Sequence, residues 1–239
     1  LDGHFETVTL RHVTLDPGGE QVRLDPTVAR GLPIITLEIE GSVRLLRIER
    51  SITGPIVETR TDPSLLNAGQ IRISDSIVQS IDPDRPALSV ELGRLQLENT
   101  TVLGACEANL IFATNTLFDG PLRVTNRQQS CLRFSAVAGY EDVAGIDPSV
   151  LPRRFECVEY ADTLPPGSVL SRRFGDPDFA ALSELADREL RQGGENRTEI
   201  GVGNARYWNQ RRDDLARVVA NFLPVGQNAQ IYQETGGRP

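Results

Sequence analysis

The side chains with the widest chemical reach in this chain are its carboxylates. Asp75, Asp82 and Asp84 lie close together, and Glu91 and Glu98 follow on a stretch of strand-like alternation. Two carboxyl groups held about 5–9 Å apart can cleave a glycosidic bond. A lyase would need an acidic cluster around Ca²⁺ and a basic proton acceptor, a part that Arg can play. Neither pattern is completed. "DPDRP" (82–86) reads as a solvated bend, and no aligned acidic trio is present. His4 and His12 lie near the start of the sequence and read as surface or core residues. There is no G-x-S-x-G elbow, H-E-x-x-H pair or P-loop. "GVGNAR" (201–206) lacks the third glycine of a dinucleotide fingerprint and reads as a turn. Cys106, Cys131 and Cys157 are odd in number, form no zinc pattern, and read as small buried hydrophobes. No catalytic residue, metal ligand or cofactor site is therefore assigned, and the chain reads as non-enzymatic.

The elements that would carry any site repeat. "RIERSITGPI" (47–56), "RISDSIVQSI" (72–81), "LQLENTTVLG" (95–104) and "NLIFATNTLFDG" (109–120) are variations on one phrase. Ser51, Ser76, Thr100 and Thr116 occupy the equivalent position, at spacings of 25, 24 and 16 residues. A period of this length marks a solenoid. The expected fold is mainly β, a right-handed parallel β-helix with a C-terminal α-helical cap. In such a fold, short strands meet at bends and successive turns stack about 4.8 Å apart. Ile48, Ile73 and Leu97 form one expected apolar ladder, and Ile52, Ile77 and Val102 another. Ser51, Ser76, Thr100 and Thr116 form a hydroxyl ladder. Asp75, Asn99 and Asn115 precede three of its members, and such residues support bends through side-chain to backbone bonds. A hairpin-linked β-sandwich is the competing architecture, but Asp-Gly turns do not occur at every connection.

Composition narrows the function classes. The net charge is −8, and no basic tract supplies phosphate contacts, so no nucleic-acid partner is expected. All 25 residues counted as Lys or Arg are Arg, the residue suited to bidentate carboxylate pairs. No run of about 18 apolar residues is present, so no membrane span is expected. No signal peptide is visible, and the sequence, which contains no Met, reads as part of a longer gene product.

Three regions are expected. Residues 1–136 form the parallel β-helix, with 16–33 as an excursion rich in Pro and Gly, and residues 137–175 form an irregular linker. Residues 176–239 form a two-helix segment ending in a strand over 228–235. The first helix begins at "DPDFAALSELADRELRQGG", with Asp176 as N-cap, Pro177 at the first position, and Phe179, Leu182, Ala186 and Leu190 on one face. The second runs from about Asn204 to Asn221. These helices would cap the open end of the solenoid or form a docking module.

"VTLRHVTLDPGG", "ERSITGPI", "ISDSIVQSID", "NTTVLG", "RQQSCLRFS", "LPRRFEC" and "RRFGDPDFAALS…GGENRTEIGV" together resemble a group of bacterial right-handed β-helix proteins. That group is encoded beside phage-tail-like or contractile-injection gene clusters. The resemblance spans residues 8 to 232. Its members commonly have Glu-Met-Gly where this chain has Glu199, Ile200 and Gly201. The resemblance implies a structural or peripheral component of a tail-like particle at the baseplate, and carries no catalytic residues with it. The expected partners are other protein subunits of such a particle, homo-oligomerisation remains open, and the expected location is the cytoplasm or the particle itself. Arg172, Arg173, Glu195, Asn196 and Arg197 are the expected polar docking points. The alternative is a carbohydrate-binding or carbohydrate-cleaving tailspike-like β-helix.

Overall fold

A computed structural model describes residues 1–22, 29–59, 68–139, 149–176, 178–204, 217–219, 221–224 and 227. The first strands are β1 (His4–Arg11), β2 (Gly19–Val22), β3 (Ala29–Leu32), β4 (Leu37–Ile39), β5 (Ser42–Glu49), β6 (Ile52–Thr53), β7 (Ile56–Glu58) and β8 (Ala68–Ser74). They are followed by β9 (Ile77–Gln79), β10 (Leu88–Glu98), β11 (Thr101–Leu103), β12 (Cys106–Thr114), β13 (Leu117–Asp119), β14 (Leu122–Val124), β15 (Cys131–Val137) and β16 (Arg154–Glu159). Among the described strands, only β2 and β3 pair antiparallel, within the 16–33 excursion. The others form one large parallel sheet that curls into a half-barrel.

Its pairings fall into three rows. The first row is β1-β5-β8-β10-β12-β15-β16. The second is β6-β9-β11-β13, closing onto the end of β15. The third is β4-β7, then the beginnings of β10 and β12, then β14. β10 serves two rows by means of an irregularity between Val90 and Arg94. There Glu58 Oε2, on a buried side chain, accepts from the Leu92 and Gly93 N–H groups at 2.9 and 3.2 Å. That carboxylate satisfies two donors which the bulge takes out of the ladder.

Burial follows the rows. In the first, buried and more exposed residues alternate, so one face packs inward and the other meets solvent. In the second, Ile77–Gln79 and Thr101–Leu103 are buried throughout. The main core lies inside the curl, where Ile48, Ile73 and Leu97 join Val78, Val102 and Phe118. Ile48, Ile73 and Leu97 are register partners, in a column that runs from Leu10 through Ala113 and Leu132 to Phe155.

Four expectations need correction. The second apolar ladder continues from Ile52 and Ile77 to Thr101, not Val102, which aligns with Thr53 and Val78. Ile52 and Ile77 belong to a separate cluster outside the main core, because Val78 and Val102 take the inward positions. Parallel pairing runs past residue 136 to Glu159. The helix expected from Asp176 is mostly a strap of turns and isolated bridges over 178–187: α1 (Arg188–Gln192) is helical, followed by a 3-10 turn over Glu195–Arg197. Residues 168–171 pair instead with 179–182, through bonds such as Leu170 N–H to the Ala181 carbonyl (2.9 Å) and Ala180 N–H to the Ser171 carbonyl (2.8 Å). Ser183 Oγ accepts from the Leu185 N–H at 3.1 Å, a local bond that competes with the helix.

Pro177 and the expected final strand lie outside the described residues. So does most of the second expected helix, of which 217–219 and 221–222 are helical. Among the described residues, no helix is long and apolar enough to cross a membrane.

Candidate functional site

Each passage from the first row to the second uses a left-handed residue. These are His12, Arg50, Asp75, Asn99, Asn115 and Phe134, with φ between 48° and 55°. Asp and Asn tolerate that conformation better than other side-chain-bearing residues. Three of them also bond along the stack. Asn99 Nδ2 donates to Asp75 Oδ1 at 3.0 Å, and Asn115 Nδ2 donates to Asn99 Oδ1 at 3.1 Å.

The hydroxyls follow immediately. Ser51, Ser76, Thr100 and Thr116 are all buried, and each donates to the carbonyl two residues back, at 2.6–3.1 Å. Ser51 Oγ accepts from the Val13 N–H at 3.1 Å, and Ser76 Oγ from the Ser51 N–H at 3.0 Å. Ser135 extends the series by accepting from the Thr116 N–H at 3.2 Å. Its signal is legible in "RFSAV", 19 residues after Thr116. Thr14, before β2, lies one residue beyond the position opposite Ser51 and pairs with Ile52.

The C-terminal strap lands on this corner and on the second row. The Glu195 N–H donates to Asn115 Oδ1 at 2.8 Å, the Gly201 N–H to the Asn115 carbonyl at 2.9 Å, and the Val202 N–H to Thr101 Oγ1 at 3.0 Å. Gly201 has φ +103°, and a Cβ there would lie 2.7 Å from Thr101 Oγ1, so glycine is what permits the close approach. Beneath the strap, Leu164, Val169, Leu182, Ala186, Leu190 and Ile200 pack on Leu117 and Ala136, forming a second apolar cluster.

The expected docking residues divide accordingly. Arg172 grips Asp119, with Nε on Oδ2 and Nη2 on Oδ1 at 3.0 Å, and its carbonyl accepts from Gln79 Nε2 at 2.7 Å. The Asp119 hydrogen bond raises the guanidinium pKa, against the lowering effect of burial. The Arg173 N–H donates to Ser171 Oγ at 3.0 Å. Glu195, Asn196 and Arg197 form one turn over Asn115, with exposed side chains. Arg172 and this turn thus reach opposite ends of β13.

Of the carboxylates considered for glycan cleavage, Asp75 and Asp82 have structural contacts, and Glu91 and Glu98 are exposed. Asp75 belongs to the amide ladder, and Asp82 Oδ1 accepts from the Asp84 N–H at 3.0 Å within the bend. Among the described residues, no group of three His, Cys, Asp or Glu side chains is placed to hold a metal ion. Burial, seconded by Glu107, pushes the Cys106 thiol up. Burial, seconded by Glu159, pushes Cys157 up to about 12. Neither is poised as a nucleophile.

On the first row's outward face, Gln70 Nε2 donates to Gln96 Oε1 at 3.1 Å, and Arg72 Nη2 donates to Gln70 Oε1 at 3.2 Å. The Arg94 guanidinium lies 4.0 Å from the centre of the Phe112 ring. Residue spacing gave no sign of this network. No family model, no curated protein and no solved structure matches the chain.

Proposed function

We propose that the chain is a non-enzymatic structural or docking component of a phage-tail-like, contractile-injection assembly, built on a right-handed parallel β-helix. The observation that carries this reading is the constant register of the first row. Five of its strands, from β1 to β12, align five residues deep or more at each pairing. Parallel connections within one sheet are right-handed in nearly all proteins, which supports the hand. A stack of this kind is a stiff platform whose outer surface is available for contact. The phrases shared with tail-associated β-helix proteins support the setting, and the exposed turn at Glu195–Arg197 supplies a polar contact point.

The test is fractionation of tail-like particles from the organism that encodes the chain. Co-sedimentation at fixed stoichiometry with identified sheath and baseplate subunits is the expected result, together with no release of reducing ends from a glycan panel. A chain that sediments apart from those subunits, or that turns over a glycan, contradicts the reading.

A further inference from the structure

The first row carries a second feature, one that goes beyond a docking role. On β8, β10 and β12, the outward positions form three adjacent columns: Gln70 aligns with Arg94 and Leu110, Arg72 with Gln96 and Phe112, and Ser74 with Glu98 and Thr114. The bonds from Arg72 to Gln70 and from Gln70 to Gln96, and the stacking of Arg94 on Phe112, hold these side chains in place. Arg72 and Arg94 are exposed, and neither forms an ion pair among the described residues. The exposed Glu98 lies beside them in the third column, and the first two columns form a strip with two arginines and no carboxylate, on a chain whose net charge is −8. Such a local field draws anions to one face against the background.

The chemistry of the strip selects its ligand. Guanidinium forks take carboxylates bidentately. Side-chain amides both donate and accept, which suits hydroxyl groups. Strands about 4.8 Å apart repeat these groups along the stack, and a flat face fits an extended chain, whereas small molecules favour concave sites. A protein partner would seek an aromatic anchor, and Phe112 is already covered by Arg94. We infer that the outward face of β8, β10 and β12 binds an acidic polysaccharide, a chain of sugar rings bearing carboxylates. Arg72 and Arg94 take the carboxylates, and Gln70 and Gln96 take the hydroxyls. This inference does not require the chain to belong to a particle.

The experiment is titration of the protein with polygalacturonate by calorimetry, with dextran, poly-L-glutamate and duplex DNA as comparison ligands. Polygalacturonate binds and dextran does not. The Arg72→Gln/Arg94→Gln variant binds at least about tenfold more weakly, through loss of two charge-assisted contacts. Arg85→Gln/Arg188→Gln, the same charge change at two other exposed positions, stays within about twofold of the parent protein. Gln96→Ala weakens the polygalacturonate complex and leaves any poly-L-glutamate binding unchanged. Three results would each overturn the inference: no binding of polygalacturonate, equal weakening by the two double variants, or binding of poly-L-glutamate or DNA as tight as that of polygalacturonate. The last would mark a general polyanion or acidic-protein surface.

Discussion

The first and second rows are built from the same repeating phrase and end in opposite conditions. In the first, Ser42–Glu49 and Leu88–Glu98 turn alternate side chains to solvent, so the outer face is a ladder of Arg, Gln and Glu. In the second, Ile77–Gln79 and Thr101–Leu103 have no exposed position, because the chain's own later residues lie over them. A regular stack offers the same backbone on every side, and the strap decides which side is core and which is surface. The corner at Asp75, Asn99 and Asn115 is the hinge of this difference, since Asn115 bonds the stack on one side and the strap on the other.

Substitutions should separate the two rows. Phe118→Ala removes a fully buried ring where the second row meets the main core, and is expected to cost about 3–5 kcal/mol in denaturant unfolding. Asn115→Ala removes the acceptor for Glu195 N–H and the donor to Asn99, and leaves a Cβ-bearing residue at φ 51° without its polar partner. A loss of about 2 kcal/mol is expected, with faster proteolytic cleavage in 193–204. Arg172→Ala breaks a pair whose Arg side chain is 50% exposed, so screening limits the loss to about 1 kcal/mol or less. Arg72→Gln, on the bare row, should change stability by less than about 0.5 kcal/mol. A loss there as large as that of Asn115→Ala would erase the contrast. The smallest effect concerns Cys157: with its pKa raised to about 12, the thiol stays protonated at pH 8 and is alkylated far more slowly in the native protein than in urea.

The repeat was legible because stacking imposes it on residue types. Ser51, Ser76, Thr100 and Thr116 recur since a buried hydroxyl at that place can bond a carbonyl two residues back without disturbing the ladder. Ile48, Ile73 and Leu97 recur since they fill one column of core. The strap was not legible. Phe179, Leu182, Ala186 and Leu190 fit a helical period, yet in the structure they pack their apolar side chains largely from turns and isolated bridges, which that spacing does not announce. The bonds from 168–171 to 179–182 set this arrangement. The outward orientation of Ile52 and Ile77 was hidden for a related reason. A strand buried on both faces reads as a continuous apolar run, and its inward side cannot be chosen until the covering segment is known. Glu58 was equally silent, because its partners are two backbone N–H groups 34 and 35 residues away.

Hydrogen–deuterium exchange of the 193–204 peptide tests the central contrast most directly. This stretch has only one short 3-10 turn. Its amides at Glu195, Gly201 and Val202 nevertheless have acceptors on Asn115 and Thr101. Protection of these amides approaching that of the Thr101–Leu103 strand, and its loss in Asn115→Ala, is the predicted result. Exchange at unstructured rates in the parent protein would contradict the account, since the second row would then lack its cover.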